Sequence, residues 1–469
     1  MDPPSYGYEY WKHYHSDCEL VHVIWTDYFG ILHEKLISAD TFNRMYRKDA
    51  YKLDNADNLS PLTVSLAALT TLPDGKSAAN SYYKPYVTCD LVPDYATIQH
   101  CIDSRSRATV FAKVDTGGYP LADPREILKK VSKVPSTGKG QKIRAALEFQ
   151  FVLRNLSDGK IYLAKGDGPA QNILQKLARG LRTHAHSTKG LSIISSDIAN
   201  DGVVTVKLVM SDNVLEAVDN YYRTRRALQS LANLDGLRPS FFYASQDVPG
   251  AAFSGTPHDV MCKNKLHCRL RLSHASAAQA WKYAAAVMDV EAGISIGPSI
   301  YAFARPNWLT YAQRRQYDED PSPKRQWMTW GIQNFNTAIS LPENDEETWW
   351  EFGDVDCMAN MYLVMAAISV LGSREVADPA ALGDIAEAKN VNEYVPDSSG
   401  PHVTVPRKIP RSGFRACHVM SASMRLHGSL LEDINELYSE LRGVEDEDIV
   451  AAVASGRASS ARQLLADWY

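Results

Sequence analysis

The chain has 469 residues, of which 45% are hydrophobic and 22% are charged, and its formal net charge is -5. These values are ordinary for a folded globular protein, and the length is sufficient for two domains. The slightly acidic balance provides no general attraction to nucleic acid or to an anionic membrane, so we expect neither as a partner.

The cysteine content and the apolar runs indicate the compartment. The 7 cysteines are scattered and contain no C-x-x-C pair, which argues against a disulfide framework and against a structural zinc site. The aromatic and polar N-terminus does not have the pattern of a signal peptide. The longest apolar run, residues 358–371, is shorter than the roughly 20 residues that span a bilayer. We therefore expect a cytoplasmic protein in which this run forms a buried helix.

The first third of the chain predicts a small domain. Residues 20–37 have the pattern of a strand, a turn and a strand, and a mostly irregular region follows to about residue 105. A further strand is predicted at 108–114. Asp123-Pro124-Arg125 then opens a helix that runs through Val134, with Asp123 as N-cap and Pro124 at the first helical position. We place the domain boundary near residue 118, which separates a domain of residues 1–118 from one of residues 119–469.

Four segments of the second domain alternate polar and apolar residues, which is typical of strands with one buried face. They are residues 145–152, 203–210, 265–273 and 348–352. A sheet that curves around a site would bring their polar faces together, whereas in an ordinary sheet these faces would be exposed to solvent. The segments 168–185, 213–233, 275–288 and 356–371 predict helices. Helices and strands that alternate in this way favour an α/β or α+β domain.

Seven short motifs follow one another between residues 20 and 372. They are Trp25-Thr26-Asp27-Tyr28-Phe29-Gly30, Asp123-Pro124-Arg125, Leu147-Glu148-Phe149, Leu215-Glu216-Ala217-Val218-Asp219-Asn220, Tyr311 with Glu319 and Pro321, Trp330-Gly331 with Asn334, and Glu351 with Asp356, Asn360, Tyr362 and Leu363. In this order they resemble the motifs of the glutamine synthetase family.

The resemblance implies an α+β fold with two parts. The first is an N-terminal β-grasp domain, and the second is a catalytic domain with a curved antiparallel sheet, or half-barrel, flanked by helices. It also implies a ring-type homo-oligomer whose sites lie between subunits. Members of the family bind ATP and two or three divalent ions, form an acyl phosphate and let ammonia attack it. ATP and magnesium are therefore possible cofactors by resemblance alone.

The acids that would hold metal are incomplete in this chain. The first acid of the family's E-x-E strand is Ala146 here, and Glu148 is the one that remains. Asp197 could replace a second acid, while Thr205 stands where another would be. Hard cations such as magnesium need several oxygen ligands. If a metal is bound, we expect Glu148, Asp197 and Glu351 as its ligands.

Arginines occupy the strand on which the family carries two metal-binding histidines. The best register aligns Arg269 and Arg271 with the two family histidines. A shifted register aligns His267 with the first histidine and Arg269 with the second. A guanidinium is always charged and has no lone pair for a metal. Together with Lys207, these arginines would neutralise the remaining acids, which favours a metal-poor cavity. The alternative is that the arginines are structural and pair with acids because buried charges must be paired.

The positions that handle nucleotide also depart from the family. The Lys-Pro pair expected after the long helix is absent from residues 239–246. Phe335, Ser340, Gly353 and Gln313 stand where the family has arginines. These guanidiniums would stabilise a transferring phosphoryl group and a substrate carboxylate. Their loss argues against ATP-driven acyl-phosphate chemistry on glutamate.

Three residues remain as candidate catalytic groups. Glu319 holds the flap position whose carboxylate takes a proton from the incoming amine in the family, and His267 offers a second acid–base group. Asp27 resembles the β-grasp aspartate that reaches into a neighbouring subunit's site. The alternatives are a solvated loop acid for Glu319, a strand histidine satisfied by a hydrogen bond for His267, and a turn-forming residue for Asp27.

The candidate residues that bind a small-molecule substrate are cationic, aromatic and amide side chains. They are Arg269, Arg271, Lys207, Trp330 and Asn334. The arginines would take the anionic group of the substrate, and the tryptophans suggest a pocket larger than one built for glutamate.

Three interpretations of function follow. The first is an enzyme repurposed for amine, amide or proton-transfer chemistry on a small carboxylate- or amino-acid-derived compound, with reduced or no need for ATP and metal, in specialised metabolism. The second is an ATP- and magnesium-dependent carboxylate–amine ligase whose substrate is not glutamate. The third is a structural or regulatory relative without catalysis.

Overall fold

A computed structural model gives the fold. It describes residues 17–46, 62–70, 87–101, 103–117, 123–132, 143–162, 168–183, 193–199, 201–242, 266–288, 300–304, 330–333, 337–342, 348–373 and 438–444.

The N-terminal part of the chain forms a six-stranded sheet in the order β2-β1-β6-β4-β3, with β5 paired to β6. Its elements are β1 (Leu20–Thr26), β2 (Leu32–Ser38), α1 (Ala39–Tyr46), β3 (Thr63–Ser65), β4 (Thr88–Pro93), β5 (Gln99–Cys101) and β6 (Ser104–Asp115), with 3-10 helices at Leu66–Leu69 and Tyr95–Thr97. The hairpin partners β1 and β2 are antiparallel, while β1 runs parallel to β6. This mixed sheet is the expected β-grasp.

The expectation of a mostly irregular region up to about residue 105 is wrong. Three short strands, β3, β4 and β5, lie in it, and β6 begins before the strand predicted at 108–114. Strands of three to six residues carry too few alternating positions to be recognised. β3 and β4 pair with partners about twenty or more residues away, and β5 pairs with the adjacent β6.

The second part is built on an eight-stranded sheet in the order β12-β13-β14-β11-β7-β9-β8, with β10 paired to β7. Its elements are α2 (Pro124–Val131), β7 (Arg144–Asn155), α3 (Pro169–Thr183), β8 (Ile193–Ile198), β9 (Val203–Leu208), α4 (Val214–Leu234), β10 (Leu237–Ser240), β11 (His267–Ser273), α5 (Ala277–Met288), α6 (Tyr301–Ala304), β12 (Trp330–Ile332), β13 (Ile339–Leu341), β14 (Trp349–Asp356) and α7 (Met361–Gly372). All of its ladders are antiparallel except β12–β13. The curled sheet with flanking helices confirms the predicted α+β fold.

The apolar run near residue 360 forms the buried helix that the sequence predicts, but the helix begins at Met361 and not at residue 356. Nearly every residue of α7 is buried. The side-chain oxygen of Asn360 accepts hydrogen bonds from the backbone N–H groups of Tyr362 and Leu363, so Asn360 is the N-cap. Within the described residues, no helix is long and apolar enough to cross a bilayer.

A buried ion pair joins α2 to α4. Arg125 donates from Nε to Oδ1 of Asp219 at 2.9 Å and from Nη2 to Oδ2 at 2.8 Å. Its Nη1 reaches Asp94 of the N-terminal sheet at 3.0 Å, and the hydroxyl of Tyr362 on α7 donates to Asp219 at 2.7 Å. Burial alone would lower the pKa of Arg125, but the charge of Asp219 and its hydrogen bonds outweigh burial and raise that pKa. One carboxylate thus connects three helices, and through Arg125 the first sheet.

A second contact docks the β1–β2 turn on the start of α7. The side-chain amide of Asn360 donates to the backbone oxygen of Asp27 at 2.6 Å. Gly30 has a φ of +82°, and a Cβ on it would lie 3.0 Å from the Cα of Asn360. Only glycine fits this approach without strain. The two sheets therefore meet at a turn and a helix cap. The division at residue 118 falls between β6 and α2 and stays a prediction.

His274, directly after β11, is a buried neutral imidazole. The indole N–H of Trp350 donates to Nε2 of His274 at 3.1 Å, and the imidazole centroid of His274 lies 4.7 Å from the ring centroid of Tyr283. Because Nε2 accepts a hydrogen bond, it carries no proton. Burial lowers the pKa of His274 to about 4.

Replacing Arg125 with Met should lower the free energy of unfolding by about 3–5 kcal/mol, because Asp219 would become a buried carboxylate without its cation. Equilibrium denaturation in urea measures the change. Arg107→Met is the matched control, since Arg107 is partly exposed and its Nη1 lies 3.8 Å from Oδ2 of Asp103. That variant should lose less than about 1 kcal/mol. Equal losses in both variants would show that the buried pair contributes no more to the free energy of unfolding than the partly exposed pair does.

Lowering the pH from about 6.5 towards 4 should destabilise the protein through His274, because the unfolded residue takes up a proton in this range and the folded one does not. The effect reaches up to about 3 kcal/mol at pH 4. Unfolding measured in steps of pH should show a shallower dependence for His274→Phe than for the wild type. Identical pH profiles would contradict the lowered pKa of His274.

Candidate active site

The ionisable side chains of the curled sheet form three rows that cross its strands. Residues paired across neighbouring strands share a face, so the register of the sheet decides which charges meet. The first row contains Ser340, Glu351, Arg271 and Ala146, the second Arg269, Glu148, Lys207 and Ser195, and the third His267, Gln150, Thr205 and Asp197. The register thus places the polar side chains of these strands on one face of the sheet, while their convergence on a single site stays a prediction.

The opposite face of these strands is apolar and fixes them in the core. Leu270 and Leu272 of β11 and Phe149 of β7 are buried. Phe149 packs edge-on against Tyr221 of α4, with ring centroids 5.1 Å apart. The alternation therefore reflects a real division, with helices behind the sheet and charged side chains in front of it.

In the first row, Arg271 and Glu351 form a tight ion pair. Both Nε and Nη2 of Arg271 contact Oε1 of Glu351. The guanidinium also lies over the ring of Trp349, 4.3 Å from its centroid, a stacking contact suited to its planar charge. Glu351 is buried, and its charge is balanced by a side chain of the same protein. The sequence reasoning did not assign Trp349 this role, although its position two residues before Glu351 places it on the same face.

In the second row, Glu148 lies between two cations. Arg269 is directly opposite Glu148 on β11, and its Nη1 is 3.6 Å from Oε1 of Glu148. Lys207 is opposite Glu148 on β9. Both members of the Arg269–Glu148 pair are partly exposed, so solvent screens their attraction. The acid nevertheless meets cations on both sides, as the sequence predicts.

The third row is polar and contains two acids, Asp197 and Asp356, but neither arginine. The backbone N–H of His267 donates to the side-chain oxygen of Gln150 at 3.2 Å, and the amide of Gln150 is 3.4 Å from the hydroxyl of Thr205. Asp197 is opposite Thr205 on the edge strand β8 and is exposed. His267 is opposite Asp356 on β14. His267 therefore lies on the same face as the arginines.

The remaining predicted site residues divide between the core and the parts outside the description. Trp330 is buried, and its ring packs edge-on against Trp281 with centroids 5.6 Å apart. Asn334 and Glu319 lie outside the described residues. Their substrate-binding and catalytic roles stay predictions.

Asp27 is fully buried in its own chain. One oxygen accepts from the backbone N–H groups of Phe29 and Ile31, both at 2.9 Å, and the other is 2.8 Å from Nε2 of His33. This arrangement matches the turn-forming alternative, and a catalytic role for Asp27 is untested. His33, which the sequence reasoning did not single out, stacks on Trp25 with centroids 5.5 Å apart. Burial alone would lower the pKa of His33, but the charge of Asp27 and the hydrogen bond to it raise that pKa.

The donor set of the described residues does not fit the divalent metals that the family resemblance implies. Among them, no three or more His, Cys, Asp or Glu side chains are grouped so that they could hold a metal. Of the three predicted ligands, Glu351 is paired with Arg271, Glu148 faces cations, and Asp197 is at an exposed edge. A magnesium ion would have to displace these arginines to obtain its oxygen ligands.

Comparison with known proteins identifies the architecture. A family model described as the catalytic domain of glutamine synthetase matches residues 121–457. Protein fluG of Emericella nidulans is 23% identical over 243 residues, and the match covers 51% of this chain and 25% of that protein. The chain thus spans about a quarter of the length of this curated relative.

Two solved structures cover nearly the whole chain. GmaS without ligand has a TM-score of 0.64 at 17% identity, and 96% of each chain is covered. A structure described as a novel glutamine synthase homolog has a TM-score of 0.62 at 16% identity, with 96% of this chain and 99% of that chain covered. At such identities these likenesses establish the fold.

Replacing Asp27 with Asn should lower the pKa of His33, because the variant keeps an acceptor for the turn but removes the negative charge beside the imidazole. The pKa can be followed by NMR titration of the His33 ring. Glu34→Gln is a nearby control, since Glu34 pairs with His22 and Arg226 instead. A His33 pKa that is the same in Asp27→Asn and in the wild type would refute the coupling.

Proposed function

The chain belongs to the glutamine synthetase family, and from this premise we propose that it is an enzyme whose cavity binds a small carboxylate- or amino-acid-derived substrate. Its chemistry is amine, amide or proton transfer. Side-chain cations on the inner strands provide the positive charge that divalent ions supply in the family, so that its dependence on ATP and metal is reduced or lost.

The observation that carries this proposal is the Arg271–Glu351 pair. Glu351 is the buried acid of the first row, and it already forms an ion pair with the guanidinium of Arg271. Breaking such a pair leaves an uncompensated buried charge, which is strongly unfavourable. A divalent ion would therefore compete with a built-in cation for the same oxygens.

The proposed roles follow from the rows. Arg269, Arg271 and Lys207 attract the anionic group of the substrate, because positive side chains in a partly enclosed site raise the local concentration of an anion. His267, on the same face, moves a proton to or from the substrate. Glu319 is proposed as its acid–base partner.

The other predicted residues have supporting roles in the proposal. Trp330 and Asn334 would line the substrate site, and Asp27 would act in a neighbouring subunit. That last role fits only if its buried carboxylate becomes accessible in an assembly.

A second candidate is an ATP- and magnesium-dependent carboxylate–amine ligase with a substrate other than glutamate. It is supported by a GmaS/ADP complex, which has a TM-score of 0.65 to this chain at 17% identity, with 96% of each chain covered. In that case one metal would be held by Glu148, Asp197 and Glu351 after the arginines move aside.

The setting of the reaction is also part of the proposal. We propose a ring-type homo-oligomer, by analogy with the family, and a cytoplasmic location. A role in specialised metabolism fits the altered inner strands.

Titration with Mn²⁺ tests the proposed charge replacement. The wild type should show no saturable binding at micromolar Mn²⁺ in calorimetry, because its two inner acids are paired with arginines. The double variant Arg269→His with Arg271→His should gain binding of at least about tenfold, since imidazoles supply lone pairs and free the acids.

Arg269→Gln with Arg271→Gln is the matched control, because it frees the acids without adding imidazoles. Tight binding of Mn²⁺ by the wild type, strengthened further by ADP, would instead support the ligase and defeat the preferred proposal.

A further inference from the structure

We infer that the niche formed by Arg271, Glu351 and Ser340 selects a small monocarboxylate whose second polar group is a neutral hydroxyl about 5 Å from the carboxylate, and that it disfavours an ammonium there. This inference rests on the proposed function and names the class of its substrate.

The ion pair leaves one donor and one acceptor for a ligand. Arg271 directs both Nε and Nη2 to the same oxygen of Glu351. Among the described residues, Nη1 of Arg271 and Oε2 of Glu351 have no hydrogen-bond partner. Arg271 is more exposed than Glu351, with 28% against 8% of the side-chain surface accessible. A carboxylate can therefore reach the guanidinium from the open side.

Ser340 supplies the second observation. It is cross-strand from Glu351 and only 3% exposed, and its hydroxyl has no hydrogen-bond partner in the part of the chain that the structure describes. A buried hydroxyl without a partner is costly and rare in native proteins. Gly331, the cross-strand neighbour of Ser340 on β12, has no side chain to fill the space beside it. The hydroxyl of Ser340 is thus placed to bond a ligand oxygen.

The geometry of the sheet sets the length of the ligand. The guanidinium of Arg271 contacts Glu351 and Trp349, so it is held over β14. Ser340 is on the adjacent strand β13, and neighbouring strands lie about 4.8 Å apart. A carboxylate on Arg271 and an oxygen at Ser340 are therefore separated by about 5 Å, the length of a four-carbon hydroxy acid.

Charge decides between a hydroxyl and an ammonium. The first two rows contain three cations and two acids, and each acid already has an arginine partner. A monoanion balances the positive charge that remains in these two rows. An ammonium would add a cation beside Arg271, whereas a hydroxyl can donate to Oε2 of Glu351 and accept from Ser340 without changing the charge.

Three probes of nearly equal size and shape test the inference on the full-length protein: butyrate, 4-hydroxybutyrate and 4-aminobutyrate. Calorimetry should show the tightest binding for 4-hydroxybutyrate, about tenfold weaker binding for butyrate, and weaker binding still for 4-aminobutyrate. Ser340→Ala should reduce the affinity for 4-hydroxybutyrate to that for butyrate and leave the affinity for butyrate unchanged. Its thermal stability should not fall, because the lost hydroxyl had no partner.

The outcomes separate the inference from the proposed function. If 4-aminobutyrate binds as tightly as 4-hydroxybutyrate, or if Ser340→Ala leaves their order unchanged, the inference is overturned. The proposed function survives that result provided that Arg271→Gln weakens carboxylate binding. If the wild type binds none of the three probes, and Arg271→Gln binds them no differently, the inference and the proposed function both fail.

Discussion

Arg125 on α2 and Asp219 on α4 are buried opposite charges. The packing of α2, α4 and α7 depends on the pairing of these two charges. The carboxylate receives two hydrogen bonds from the guanidinium and one from Tyr362, and the third nitrogen of Arg125 extends to Asp94 in the N-terminal sheet. An unpaired charge at this depth would be strongly destabilising. The pair therefore dictates how the first sheet docks on the helices behind the second.

Several of the motif residues on which the family resemblance rests belong to this scaffold. Arg125, Asp219 and Tyr362 form the ion-pair network, and Asn360 both caps α7 and holds the turn that contains Asp27. These contacts depend on exact side-chain identity, whereas the charged face of the sheet lies opposite the core-facing side. A chain can therefore keep the architecture and change its chemistry.

The inner face shows how such a change is accommodated. Where imidazoles would leave acids available to a metal, Arg269 and Arg271 pair with Glu148 and Glu351. Each guanidinium lies directly opposite its acid in the ladder, so the charges balance within the sheet itself. In the first two rows Lys207 remains as one cation beyond these two pairs, and this local excess favours an anionic ligand there. Stability and substrate preference thus depend on the same pairs.

The sequence alone determined the strands with a charged face, the buried helix α7 and the N-cap at Asp123, because these features depend on local periodicity and nearest-neighbour chemistry. Only the tertiary structure decided that Arg271 meets Glu351, 80 residues away, that Asp27 is buried against His33, and that short strands lie at Thr63–Ser65, Thr88–Pro93 and Gln99–Cys101. Cross-strand partners are set by register and by docking of distant segments, and neither leaves a periodic signal in the chain.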